Sequence, residues 1–424
     1  MSFRQSIATR RVEGLPEKIS KYREIRDPSH KVRDDRHAKS KYNFLYRIYT
    51  LFKTEVHRTK KYKMKNIVCF HLFNDHSGSP QVLRTVIESL LEQGHHVDLV
   101  TSRGGVLDGL AGKENLRMRQ YNYRFARNKV ARCARYAWVQ LQVFFIALGY
   151  IFKKDTIVYI NTILPIGAAI GGLIAGKRVV YHYHENAKAK STAYRILAKM
   201  MQLIACDIIC VSHYQRSFLR RKKRVFVVPN ALQENFAAKL HPDSERAFED
   251  KRVLMLGSLK EYKGTREFIA LAGQMSDFQF ELVINDSQES IETYLKDEKI
   301  TKTKNLTIHP RQDDVTPFYN RASLVLNLTN RKQAIETFGL TALEAMATGL
   351  PVIVPTVGGI AEMVTDGENG YRIDVQEIER VRLCIDKILT DKALYKRLSE
   401  NALERSKKYS ARSMGSSIED ILNA

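Results

Sequence analysis

Two glutamates carry the densest chemical signal in this chain of 424 residues. Glu336 and Glu344 lie in ETFGLTALEAMATGLPVIVP, with seven residues between them. Thr337-Phe338-Gly339 reads as a loop feeding a helix that starts near Leu340. Leu343, Ala347 and Leu350 supply the apolar face of that helix. Gly349-Leu350-Pro351 ends it ahead of an apolar strand. The N-terminus of such a helix offers unpaired N–H groups and a partial positive charge, which suits a diphosphate. Glu336 stands just outside the terminus, and Glu344 lies about one and a half turns inside. Carboxylates accept hydrogen bonds from hydroxyls, so the pair could flank a sugar nucleotide, one at the sugar and one at the ribose diol. On spacing alone, each also reads as a solvated surface residue.

These residues need a scaffold that gathers them at one edge. From Asn66 the chain runs through an apolar stretch (NIVCFHL), a polar loop (NDHSGSP), a helical spacing over 82–93 stopped by Gly94, and an apolar run at 97–101. Strand, loop, helix, strand is the βαβ unit, hence a parallel doubly wound sheet. Further strands are predicted at 156–160, 178–182, 208–211 and 225–228. A polar linker is predicted over 232–250, around Pro242. A second series follows at 252–256, 280–284, 306–309, 324–328 and 351–354. The pattern gives two α/β halves, about 66–231 and 250–405. Ligands of doubly wound sheets gather beyond the carboxyl ends of the strands. Gly78, His184 and Lys263 all fall there. Gly78 has no Cβ and would let backbone approach a diphosphate and an acceptor, although Gly-Ser loops are also plain turns. Asp75 and His76 lack a third ligand spaced nearby, so no metal is expected.

Composition narrows the class. The net charge is +23, and residues 1–63 hold 18 Lys and Arg against 7 Asp and Glu. Such a field favours polyanions: nucleic acid, an anionic bilayer or phosphorylated substrates. The first 63 residues read either as a solvated extension or, through YNFLYRIYTLF at 42–52, as a segment lying on anionic lipid. The Arg-rich stretch 117–135, read as a helix running into 136–152, has the same two readings. Arg220 to Arg224 reads as a solvated basic loop. Nucleic-acid binding is the weaker expectation, since zinc-finger spacing, aromatic RNP motifs and basic-region heptads are missing. The apolar stretches 136–152 and 156–176 read as core elements, the second as a strand, a turn and a small-residue helix, rather than membrane spans. Residues 1–20 have no apolar h-region. Cys69, Cys133, Cys206, Cys210 and Cys384 read as reduced core thiols of a cytoplasmic protein.

The motif E-x-F-G-L-x-x-x-E-A resembles the signature of the retaining glycosyltransferases of family 4, which have the GT-B fold. PVIVPTVGGIAEMVTDGENGYRI resembles the same family's continuation. GSLKEYKG at 257–264, VVPNAL at 227–232 and SGSP at 77–80 are similar in turn, all in the family's order. The resemblance covers about 66–424 and leaves 1–63 outside. It implies an α/β GT-B architecture: two Rossmann-like doubly wound domains facing a cleft, with a basic N-terminal extension. Residues 64–232 would form the acceptor domain and 233–410 the nucleotide-sugar domain. Residues 411–424 would form a C-terminal helix crossing back. Glu344 matches the glutamate that holds the nucleotide ribose, and Glu336 the one facing the donor sugar. Gly339 and Leu340 match backbone amides near sugar and phosphate, and Lys263 the lysine on the diphosphate. His184 matches the histidine facing the reaction centre, with His182 its competitor. One position departs. The family carries Arg where this chain has Ser258, so Lys260 or an Arg from elsewhere would have to compensate.

The implied activity is metal-independent, retaining sugar transfer from a nucleotide-diphosphate sugar, UDP- or GDP-linked, with no cofactor. The basic extension and the Arg- and aromatic-rich helix, rather than the resemblance, point to the acceptor: a glycan, expected to be lipid-linked and to belong to surface polysaccharide assembly. The expected site is cytoplasmic or peripheral on the cytoplasmic face of an anionic membrane, with no nucleic acid bound. Another GT-B enzyme, a nucleotide-sugar epimerase or a phosphorylase, is the alternative, because fold does not fix function.

Overall fold

The computed structural model describes residues 64–123, 128–187 and 190–424. The basic segment 1–63, with its aromatic stretch at 42–52, lies outside the described residues. From Met64 onward the chain forms one unit built on two parallel sheets.

The first sheet holds β1 (Asn66–Phe70), β2 (His96–Ser102), β3 (Leu116–Tyr121), β4 (Thr156–Asn161), β5 (Arg178–Tyr183), β6 (Asp207–Cys210) and β7 (Val225–Val227). Their order is β3-β2-β1-β4-β5-β6-β7, every pair parallel. β1, β4 and β5 are almost wholly buried, as apolar runs covered on both faces must be. One face is covered by α1 (Gly78–Glu92). The other carries α2 (Lys129–Leu148), α3 (Ile166–Ile174) and α4 (Thr192–Ile204) side by side. The glycines of α3 explain its closeness to α2: a Cβ at Gly167 would lie 2.1 Å from the Gln140 carbonyl oxygen. Residues 156–176 are thus a strand, a turn and a small-residue helix. No helix among the described residues is long and apolar enough to cross a membrane.

The second sheet holds β8 (Arg252–Gly257), β9 (Gln279–Ile284), β10 (Leu306–His309), β11 (Leu324–Leu326), β12 (Val352–Val354) and β13 (Gly370–Arg372), in the order β10-β9-β8-β11-β12-β13. Its core includes α5 (Thr316–Arg321) and α6 (Leu340–Ala347). Each sheet reverses its winding at one place, between β1 and β4 and between β8 and β11. A crevice opens beyond the strand ends at such a point.

The chain returns to the first half at its end. Helix α7 (Ala411–Asn423) buries Met414, Ile418, Ile421 and Leu422 in the core beneath α1. His95 Nε2 and Glu419 Oε2 sit 2.7 Å apart, both side chains buried. Arg178 donates to the Leu422 and Ile421 carbonyls at 2.8 and 2.6 Å, tying off the helix's unpaired end.

Several expectations are corrected. Residues 117–121 are not helical but belong to edge strand β3, whose alternating Arg117 and Arg119 point outward. The helix begins only at Lys129. Residues 232–250 contain two short helices, Glu234–Ala237 and Ser244–Asp250. Cys69, Cys210 and Cys384 are core thiols, but Cys206 is half-buried and Cys133 is exposed. The loop 220–224 is pinned rather than loose. Arg221 donates to the Cys206 carbonyl at 2.6 Å, and Arg224 pairs with buried Asp207 at 2.6 Å.

Candidate active site

Both switch points direct chain into the same cleft. After β8 the backbone passes Ser258 and tightens into a short turn, Glu261–Lys263. After β11 it runs through Asn327 and Thr329 to Glu336, and Gly339 then opens α6. Gly339 has φ +96°, and a Cβ there would lie 2.5 Å from Ile360 Cγ1. Both the conformation and the space require glycine. The Gly358–Gly359 turn holds this loop from behind, as the Gly359 N–H donates to the Glu336 carbonyl at 2.9 Å. The first N–H groups of α6 therefore face the cleft with no side-chain cap.

Lys263 and Glu336 meet directly, with Nζ donating to Oε1 at 2.5 Å. Thr329 Oγ1 donates to the same oxygen at 3.0 Å. Burial opposes both charges, but each sustains the other. Glu336 is held below the usual carboxylate range, and the Lys263 pKa is raised. A charged pair so placed has an ammonium ready for an anionic leaving group and a carboxylate ready for hydroxyls.

Glu344 lies deeper along α6. Its Oε2 accepts from the buried Tyr319 hydroxyl at 2.5 Å. Burial lifts its pKa to about 7, against the Tyr319 hydrogen bond, which favours the charged form. Glu344 and Leu340 line a small open recess with Gln81, Thr85, Gln233 and Phe236. That recess lies between the two halves.

The opposite wall comes from the first half. Ser77 precedes α1, and Gly78 is its first residue rather than part of a loop. A Cβ on Gly78 would come 3.2 Å from Leu340 Cδ1, so these two residues face each other across the cleft. His184 follows β5. Its carbonyl accepts from Thr337 Oγ1 at 2.8 Å, which places it beside Glu336. Its Nε2 lies 2.9 Å from Asn161 Oδ1, and Asn161 Nδ2 lies 3.0 Å from His71 Nδ1. Burial holds the His184 pKa well below the ordinary value, helped by His182 and His71. His184 is therefore a neutral imidazole at neutral pH, a hydrogen-bonding group rather than a charge. His182 is fully buried, with Nδ1 2.8 Å from the Tyr159 hydroxyl, and belongs to the core.

Lys263, Glu336, Gly339 and His184 are thus drawn together, with Gly78, Leu340 and Glu344 adjoining along α6. Ser258 sits on the loop carrying Lys263, where its carbonyl accepts from Thr265 Oγ1 at 3.1 Å. Lys260 on that loop is exposed. Arg331 is engaged by Asp374 at 2.9 Å. Tyr319, Asn161, His71 and Thr329 join the site although the sequence reading does not name them, and Thr337, read only as loop, joins through its hydroxyl. Asn161 alone carried a readable sign, as a polar residue ending a buried strand.

Comparison with known proteins adds an independent line. The model of Glycosyl transferases group 1 matches residues 222–405, and that of Glycosyltransferase Family 4 matches 76–235. An uncharacterised glycosyltransferase of Haemophilus influenzae is 22% identical over 78% of this chain and 92% of its own length. The capsular polysaccharide biosynthesis glycosyltransferase CapM of Staphylococcus aureus is 24% identical over 85% of this chain and 98% of its own. Anabaena HepE, solved in complex with UDP and glucose, superposes with a TM-score of 0.68 at 19% identity, covering 85% of this chain and 100% of HepE. The likeness to HepE is one of fold. Two glycosyltransferase family models, one over each sheet, together with the shared GT-B architecture support a GT-B glycosyltransferase.

Proposed function

We propose that this protein moves a sugar from a nucleotide-diphosphate sugar to a lipid-linked glycan, with retention at the anomeric carbon. The reading rests on one observation: Lys263, Glu336 and the backbone of His184 meet at the mouth of α6, where the two halves face each other. The diphosphate would lie at the α6 N-terminus and the ribose diol on Glu344. The bond between the anomeric carbon and the diphosphate oxygen breaks, and Lys263 with the α6 N–H groups neutralises the leaving group. The acceptor hydroxyl attacks on the same face, forms the new C–O bond and gives its proton to the departing phosphate oxygen. Glu336 orients donor hydroxyls, and neutral His184 hydrogen-bonds at the reaction centre. In this reading neutralisation is supplied by the protein, so turnover is expected to persist in EDTA.

UDP is the first donor base to test, since HepE was solved with UDP. A surface-polysaccharide acceptor follows from the likeness to CapM. Thermal shift with UDP, GDP, ADP and CMP tests the donor. A nucleotide at about 100 times its Kd should stabilise by about 2.7 kcal/mol. Stabilisation of the wild type but not Glu344→Gln supports the site. No response to any nucleotide would end the reading. Donor turnover without an acceptor would move the assignment to an epimerase.

A further inference from the structure

The face of the first sheet formed by α2, α3 and α4 is unusual on its outer side. Along α2, buried Val139, Val143 and Ala147 turn inward. On the opposite stripe Trp138, Leu141 and Phe145 recur at helical spacing, 62%, 53% and 64% exposed. Phe152, just past the helix, is 92% exposed and Leu203 on α4 is 84% exposed. Cations accompany them. Arg195 and Lys199 are exposed on the same stripe of α4 as Leu203, and Lys153 and Lys177 flank the far end. The three helices contain no Asp or Glu at all. Nearby, Glu185 and Asp207 are buried, and Asp155, beyond Lys153 at the far end, is exposed.

We propose that the outer face of α2–α4 docks the enzyme onto an anionic lipid bilayer. Exposed tryptophan and phenylalanine beside lysine and arginine match the headgroup layer, which takes amphipathic rings and attracts cations. Charge selects this occupant over a second copy of the chain, which at +23 would bring like charge to a basic surface whose three helices carry no carboxylate. Helix polarity sets the orientation. In parallel α/β folds each helix begins at the carboxyl edge of the sheet, where the cleft opens. Tyr136, early in α2, donates to the Leu164 carbonyl beyond β4, and α4 begins eight residues after His184. The cationic start of α4 therefore lies toward the cleft, and a bilayer along this face would present headgroup-linked glycans at the end where His184 sits. The inference deepens the proposed lipid-linked acceptor and rests on it.

Trp138 is the single tryptophan of the chain, so its fluorescence reports this face directly. The full chain is mixed with vesicles of phosphatidylcholine alone, or of equimolar phosphatidylcholine and phosphatidylglycerol, with and without brominated acyl chains. The expected result is co-sedimentation with the anionic vesicles only, with a blue-shifted emission quenched by bromine. Each neutralised cation should weaken partition about fivefold, so Arg195→Gln with Lys199→Gln should weaken it about 25-fold. Leu141→Ser with Phe145→Ser should also weaken it, while Trp138→Phe should retain most of it. Unchanged melting and nucleotide binding confirm that the variants fold. Co-sedimentation without quenching assigns lipid binding to another part of the chain and overturns the proposal. A blue shift that follows protein concentration without lipid assigns the face to self-association and also overturns it. Transfer to a soluble acceptor without vesicle binding overturns the docking face and leaves donor chemistry standing. Vesicle binding without nucleotide binding does the reverse.

Discussion

Replacing the proton on Glu344 should switch donor affinity across neutral pH. Burial puts the carboxyl near pKa 7, and the Tyr319 hydroxyl reaches only one of its oxygens. A ribose diol donates two hydrogen bonds and prefers the carboxylate, so binding should follow the ionised fraction. That fraction is about nine-tenths at about pH 8 and about one-tenth at about pH 6. Donor affinity should therefore fall about tenfold between those values, about 1.4 kcal/mol. A nucleotide sugar is the right probe, because its doubly esterified diphosphate keeps a constant charge over this range. Titration calorimetry of the wild type, Glu344→Gln and Tyr319→Phe gives the profile. Glu344→Gln should bind weakly at every pH, with a flat profile. Tyr319→Phe removes a hydrogen bond to the charged form, so its midpoint should move to higher pH. A flat wild-type profile, or a slope that survives in Glu344→Gln, refutes the reasoning.

Other outcomes follow from the same geometry. Glu344→Gln should raise the melting temperature above about pH 7 and leave it unchanged near pH 4: the folded state keeps the Glu344 proton up to about 7, the unfolded chain releases it near 4.5, and stability from this group is lost as pH rises. Lys263→Met should lower kcat by about 10²–10³-fold; it also strands the Glu336 charge, so Lys263→Met with Glu336→Gln should melt higher than Lys263→Met alone, and a lower melting temperature in the double variant would count against the pair. Gly339→Ala should destabilise by about 3 kcal/mol or more, from its positive φ and the clash with Ile360, whereas Gly78→Ala meets only the end of Leu340 and should cost under about 1 kcal/mol by denaturant melting. Glu419→Ala leaves Nε2 of buried His95 without its partner, should cost about 1–3 kcal/mol, and should make α7 the first site of protease cleavage.

The architecture was readable because buried parallel strands are near-continuous apolar runs and their crossovers have helical spacing. β3 escaped because an edge strand alternates, and its outward arginines merge with the basic helix that follows. β13 is three residues long and carries no period. Gly78 read as a turn because Ser-Gly-Ser-Pro does so in isolation; Pro80, in the first turn of a helix, was the contrary sign. At the site, Glu336 and Glu344 share one loop and helix, and local spacing finds them. Tyr319 lies 25 residues before its partner Glu344, and Asn161 lies 23 before His184. Only folding brings such pairs together, so no local pattern could announce them.

The path of the chain at the waist bears on motion. It leaves the first half after β7 and returns into α7, and Leu232 pairs with Ser410 where these two passages run side by side. Two covalent strands joined at one place act as a pivot. Such a joint resists sliding of one half past the other more than rotation about the joint. A rotation about that joint would return Thr337 to the carbonyl of His184 and Leu340 to Gly78. A cleft hinged in this way opens and closes without losing the register of its walls.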